Sequence, residues 1–194
     1  GERQRVALAR SLAPEPRLLM LDEPLGSLDA TLRSKLVLEL RAIIKEAGLT
    51  TIYVTHDQEE AFAIADRVAI MNAGTIEQVD VPEVIYHRPV TVFVARFLRL
   101  NNIVPVLNAD GSLLETPVGT YESDGHAPYL LLHPSGIKPA ESRTDPVGTG
   151  ITGIVQERIF QGDSYRLVVT HDSQISITLT VPSYAVHVPE TGSR

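Results

Sequence analysis

Asp22 and Glu23 are adjacent carboxylates at the end of a dense aliphatic run, Leu18-Leu19-Met20-Leu21, and a turn follows at residues 24–27. Two such groups repel each other and lose hydration on burial, so a cation, most simply a hydrated Mg2+, is expected to keep at least one of them charged. The other is then available for base chemistry. The run itself reads as a parallel strand buried on both faces, and the carboxyl ends of such strands are where open α/β sheets hold their ligands. His56 follows a second β-branched, apolar stretch at residues 50–55 and so falls on the same edge. The other five histidines, His87, His126, His133, His171 and His187, show no H-x3-H or HExxH spacing, and no metal site is expected among them.

The elements that must position these groups alternate in type. Residues 2–13 lack Gly and Pro and space Val6, Ala9 and Ala13 as a helix would, with Pro14 as its stop. Asp29 can cap a long helix with Leu32, Leu36, Leu40, Ile43 and Ala47 as its apolar stripe and Gly48 at its end. The acidic segment Asp57-Gln58-Glu59-Glu60 opens a short helix, where negative charge favours the N-terminus. Strand, helix, strand, helix is the α/β pattern. After Arg67 the period changes: two short strands flank Asn72-Ala73-Gly74 as a hairpin, Asp80-Val81-Pro82-Glu83 has the form of a capping box, and residues 90–98 read as one more helix. Beyond Asn101 short strands separated by Gly, Pro, Asp and Ser turns predict a small barrel or sandwich. Gln161-Gly162-Asp163-Ser164 reads as a hairpin turn there. The domain boundary is expected near residues 100–102, giving domains 1–100 and 101–194.

Composition narrows the function classes. The 194 residues are 43% hydrophobic, enough for one or two small cores, and contain no Cys, which excludes disulfides, thiolate metal sites and cysteine nucleophiles. No apolar run approaches the roughly 18 residues of a membrane span. The net charge is −7, and residues 101–194 hold 5 Lys+Arg against 10 Asp+Glu. An acidic second half argues against nucleic acid as a partner, since a phosphate footprint needs clustered Lys and Arg.

Four segments, in order, carry a resemblance: GERQRVALAR at residues 1–10, LLMLDE at 18–23, SLDA at 27–30 and VTHDQEEA at 54–61. Together they resemble the nucleotide-binding subunit of ABC transporters: the end of the signature motif, Walker B with its catalytic glutamate, the D-loop and the switch-histidine segment. YHRPVTVFVARFL at residues 86–98, followed by a β region, is similar to the C-terminal extension of one importer branch, serving sugar, polyamine, ferric iron and oxyanion uptake, whose extension contains the oligomer-binding-like fold called TOBE. The departures are Glu2 at the usual Gln position, Arg99 where the family usually has Gly, and His133-Pro134-Ser135 in place of an Arg-Pro-Glu word.

The resemblance implies a partial P-loop NTPase sheet with helices, followed by an all-β, OB-like TOBE domain that regulates or dimerises. It implies ATP and Mg2+ as cofactors, with Asp22 the metal ligand, Glu23 the residue that orients or deprotonates the attacking water, and His56 the contact to the γ-phosphate. Gly1, Glu2 and Asp29 would reach ATP bound to the opposite subunit. The partners implied are a second ATPase subunit, in a homodimer, integral membrane permease subunits and, indirectly, a solute-binding protein, at the cytoplasmic face of the plasma membrane. No GxxxxGK[ST] phosphate loop occurs in the 194 residues, so by themselves they are expected to bind ATP feebly and not to hydrolyse it. Two other functions fit less of the pattern: a soluble ABC ATPase outside transport, and a module that senses a small anion.

Overall fold

The computed structural model describes residues 2–14, 16–26, 28–123, 125, 127–137, 150–185 and 188–194, and the side chains of all of these except residues 2–5, 8 and 135. The chain divides into two compact units, Gly1–Val90 and Thr91–Arg194.

The first unit runs α1 (Glu2–Leu12), β1 (Leu18–Asp22), α2 (Ala30–Glu46), β2 (Thr50–Val54), α3 (Gln58–Ile64), β3 (Val68–Asn72), β4 (Thr75–Asp80) and α4 (Pro82–His87). Strands β1 and β2 pair in parallel from Leu18 opposite Thr50 to Asp22 opposite Val54, which brings the residues after both strands to one edge. Helix α2 covers one face of this pair. Its Leu36, Val37 and Leu40 are buried with Leu25 and Ile64, and Leu21, Leu32, Ile44 and Tyr53 pack around them. The expected stripe is therefore rotated at its end: Ile44 packs inward while Ile43 is exposed. Gly48, at φ +60°, ends the helix as expected, in the left-handed conformation that glycine adopts at least cost.

The expectation that β1 is buried on both faces does not hold in this chain. Leu19 is buried, whereas Leu18, Met20, Ile52 and Val54 are exposed, Met20 at 70%. Side chains alternate across a strand, so one packed layer shelters alternate residues only. The hairpin of β3 and β4 forms as the pattern suggests. The capping box does not: Val81 is the N-cap of α4 with no side-chain bond, Pro82 occupies the first turn, and Asp80 Oδ1 accepts only from the Val81 N–H.

The second unit opens with α5 (Val92–Phe97), whose N-cap Thr91 accepts from Val94 N. Arg99 closes it at φ +60°. The residue that departs from the family's usual glycine thus stands where the backbone is left-handed. β5 (Ile103–Pro105) pairs with β9 (Tyr129–Leu131), and β6 (Asn108–Asp110), β7 (Leu113–Thr116) and β8 (Gly119–Glu122) form a meander. β10 (Gly153–Phe160), β11 (Ser164–His171) and β12 (Ser176–Pro182) form an antiparallel sheet with a bulge between Val155 and Glu157. The Gln161–Ser164 segment is the turn joining β10 to β11, with Gln161 N donating to Ser164 O at 2.8 Å. Val155 pairs beyond the bulge with the chain's last residues, donating to Ser193 O and accepting from Gly192 N. Val104, Val118 and Ile177 form one fully buried cluster, and Leu167 centres another with Val155, Leu179 and Val181. Asn102 is buried and acts as an extra strand partner, its amide accepting from Thr178 N at 2.8 Å and donating to Thr178 O at 2.6 Å. Gly153 is required by proximity, because a Cβ there would lie 2.6 Å from Thr170 O.

Candidate active site

Asp22 and Glu23 leave the end of β1 as exposed residues, and Glu23 N donates to Val54 O at 2.9 Å, extending the parallel ladder by one bond. Glu23 then turns sharply, with φ +43°, a left-handed conformation rare in a residue with a side chain. Such an outlier is a place where local strain is spent on directing a side chain. Here the side chain meets His56: Nδ1 lies 3.0 Å from Glu23 Oε1, with the histidine 75% and the glutamate 52% exposed. A carboxylate only accepts, so Nδ1 carries the proton in this bond and the tautomer is set. Gly26 borders the other carboxylate oxygen, Glu23 Oε2, which would stand 3.5 Å from a Cβ placed there.

His56 is held from below by Asp57 and Glu60 of the acidic segment, which the sequence marks only as opening a helix, and by Thr55, Tyr53 and Arg33, to which it assigns no role. Its neighbour Asp57 caps α3, accepting from Glu59 N at 2.9 Å and Glu60 N at 3.2 Å. Its other neighbour Thr55 accepts from Asp57 N at 3.0 Å and donates to Glu60 Oε2 at 2.8 Å. Glu60 is only 4% exposed and also accepts from the Tyr53 hydroxyl at 2.9 Å. Burial, then that bond and the carboxylate's charge, push the Tyr53 hydroxyl well above its ordinary range. Arg33 on α2 supplies the positive charge: Nη1 reaches Asp57 Oδ2 at 3.1 Å, Nε lies 3.4 Å from Glu60 Oε1, and Nη2 donates to Leu28 O at 2.7 Å. Burial opposes ionisation of Asp57, but the two backbone N–H bonds and Arg33 outweigh it and hold the carboxyl below its usual value. Arg33 and Asp57 are 24 residues apart, a separation at which no local pattern announces a pair.

The remaining sequence-derived candidates are not gathered at this edge by the described contacts. Asp29 is the N-cap of α2, its Oδ1 accepting from Leu32 N at 3.0 Å. Glu2 begins α1, and its side chain is outside the described residues, as is Gly1. Among the described residues no three His, Cys, Asp or Glu side chains converge as a metal cage. The donor set that does exist, one exposed carboxylate at Asp22 beside a second at Glu23, suits Mg2+, which keeps several waters and takes one or two carboxylates plus phosphate oxygens.

Residues 130–194 match the TOBE domain family. The chain is 48% identical over 166 residues to the Fe(3+) ions import ATP-binding protein FbpC of Streptomyces avermitilis, an alignment covering 84% of this chain and 46% of that protein. It is 42% identical over 178 residues to the spermidine/putrescine import ATP-binding protein PotA of Acetivibrio thermocellus, covering 89% and 49% respectively. The PotA protein of Acidothermus cellulolyticus aligns with all of this chain at 38% identity over 208 positions, 54% of its own length. The chain spans about half the length of the curated relatives it matches. The paired strands, the carboxylates and histidine at their edge and the all-β second unit with its TOBE match accompany this similarity: over most of its length the chain is similar to about half the length of the ATP-binding proteins of ABC-type importers, and residues 130–194 match the TOBE domain family.

Proposed function

We propose that this chain contributes the hydrolytic half of a site at which an intact importer subunit cleaves ATP to drive solute uptake. The observation that carries the reading is the contact of Glu23 with His56 at the common edge of two parallel strands. Glu23 takes the proton of a water whose oxygen bonds to the γ-phosphorus; the bond from that phosphorus to the bridging oxygen breaks, and ADP leaves with its electron pair. A positioned base of this kind contributes about 10²–10⁴-fold in rate. His56 orients Glu23 through Nδ1 and presents the other edge of its ring to the γ-phosphate. Asp22 would hold Mg2+, which when bound would neutralise phosphate charge.

Gly1, Glu2 and Asp29 are assigned to ATP held by a second copy, in a head-to-tail homodimer, and Asp29 caps α2 at the same time. Residues 1–100 form the ATPase part and 101–194 the regulatory part. The membrane permease subunits are the direct partners and a solute-binding protein the indirect one, with the subunit peripheral at the cytoplasmic face of the membrane. No helix among the described residues is long and apolar enough to cross a membrane.

The test is Glu23→Gln in the full-length subunit. ATP binding persists, hydrolysis falls by about 10²-fold or more, and gel filtration with ATP shows a persistent dimer. Hydrolysis at the parental rate would refute the assignment.

A further inference from the structure

We propose that Arg33 is a positioning residue that ties the segment entering α2 to the turn bearing His56, so that the Glu23–His56 contact forms only when that segment is in place. The guanidinium divides its donors between two parts of the chain. Nη2 holds the main chain at Leu28, just before the cap of α2. Nη1 and Nε face Asp57 and Glu60, which grip the residues on either side of His56 through the Asp57 N–H and the Thr55 hydroxyl. A planar fork meets several acceptors in a fixed geometry, whereas an ammonium is a point charge that cannot span them. Displacing Leu28 therefore displaces Arg33, and with it the turn that carries the imidazole. Small misplacements at a reacting centre are costly, about 10²-fold in rate for 1 Å. Another cation on the same helix, Lys45 in its last turn, offers a contrast, since it pairs with Asp66 on the exposed surface at 2.6 Å.

This proposal rests on the assignment of Glu23 and His56 above, and two readouts separate the fates of the two. In the full-length subunit, with rates expressed per folded, ATP-binding molecule counted by nucleotide titration, Arg33→Lys lowers kcat about tenfold or more while KM for ATP stays within about threefold. Lys45→Gln leaves both within about twofold. Asp57→Asn, which preserves the helix cap, gives the same kcat-only loss, and the double variant with Arg33→Lys is no worse than the more impaired single one, because both break one link. Amide hydrogen exchange at residues 55–57 is the readout without turnover: Arg33→Lys speeds it about tenfold, and Lys45→Gln does not. Unchanged exchange at residues 55–57, or additive losses in the double variant, would overturn the role of Arg33. Normal hydrolysis by Glu23→Gln would overturn the catalytic assignment alone, since the exchange measurement would still report the link.

Discussion

The two units meet the same problem, covering the faces of strands, with different partners. In the first, parallel strands β1 and β2 are packed on one side by α2 and expose Leu18, Met20, Ile52 and Val54 on the other. In the second, antiparallel β10, β11 and β12 bury alternate residues such as Leu167, Ile177, Leu179 and Val181, and a polar side chain, Asn102, completes the bonding of β12. Parallel sheets are built for layers on both faces, while antiparallel sheets tolerate water on one. Both units enclose a cluster; the first leaves aliphatic residues of both its parallel strands exposed, whereas in the antiparallel sheet of the second the exposed apolar residues, Ile154, Ile159 and Phe160, lie on β10.

Substitutions at three positions of the 194-residue chain, followed by urea unfolding, would break or sharpen this contrast. Leu167→Ala should have the largest effect, about 2–5 kcal/mol, because the fully buried side chain leaves a cavity. Asn102→Ala should cost about 1–3 kcal/mol by leaving the Thr178 N–H and C=O without their buried partner, and Asn102→Asp should fail to rescue it, since a carboxylate cannot donate to the carbonyl. Met20→Ala should change stability by no more than about 0.5 kcal/mol. A loss above 2 kcal/mol for Met20 would mean that the face is covered and the contrast false.

The sequence made the elements around the site legible because each has a local cause: aliphatic runs for β1, the Asp29 cap for α2, the acidic segment at residues 57–60 for α3, Asn72-Ala73-Gly74 for the hairpin. The edge shared by Glu23 and His56 followed from strand direction. Their direct contact did not, because it depends on the left-handed turn at Glu23, and a glutamate gives no sign of that conformation. Exposure of Met20 was equally hidden, since a continuous apolar run reports what a strand could bury and not what lies against it. The strands β6, β7 and β8 in residues 108–122 are only three or four residues long and escaped individual recognition. Arg33 draws no reading from the sequence and Glu60 only one as part of an acidic helix start, and the tertiary fold brings the two together.

The left-handed backbone at Glu23 sets two kinds of selection against each other at a single codon. Glycine would relax the turn, and a library screened for heat resistance would drift toward it. It would also delete the carboxylate that faces His56. Replacements favoured by melting temperature and those favoured by turnover therefore diverge here, and programmes that stabilise such subunits by consensus or thermal screening should hold this position fixed.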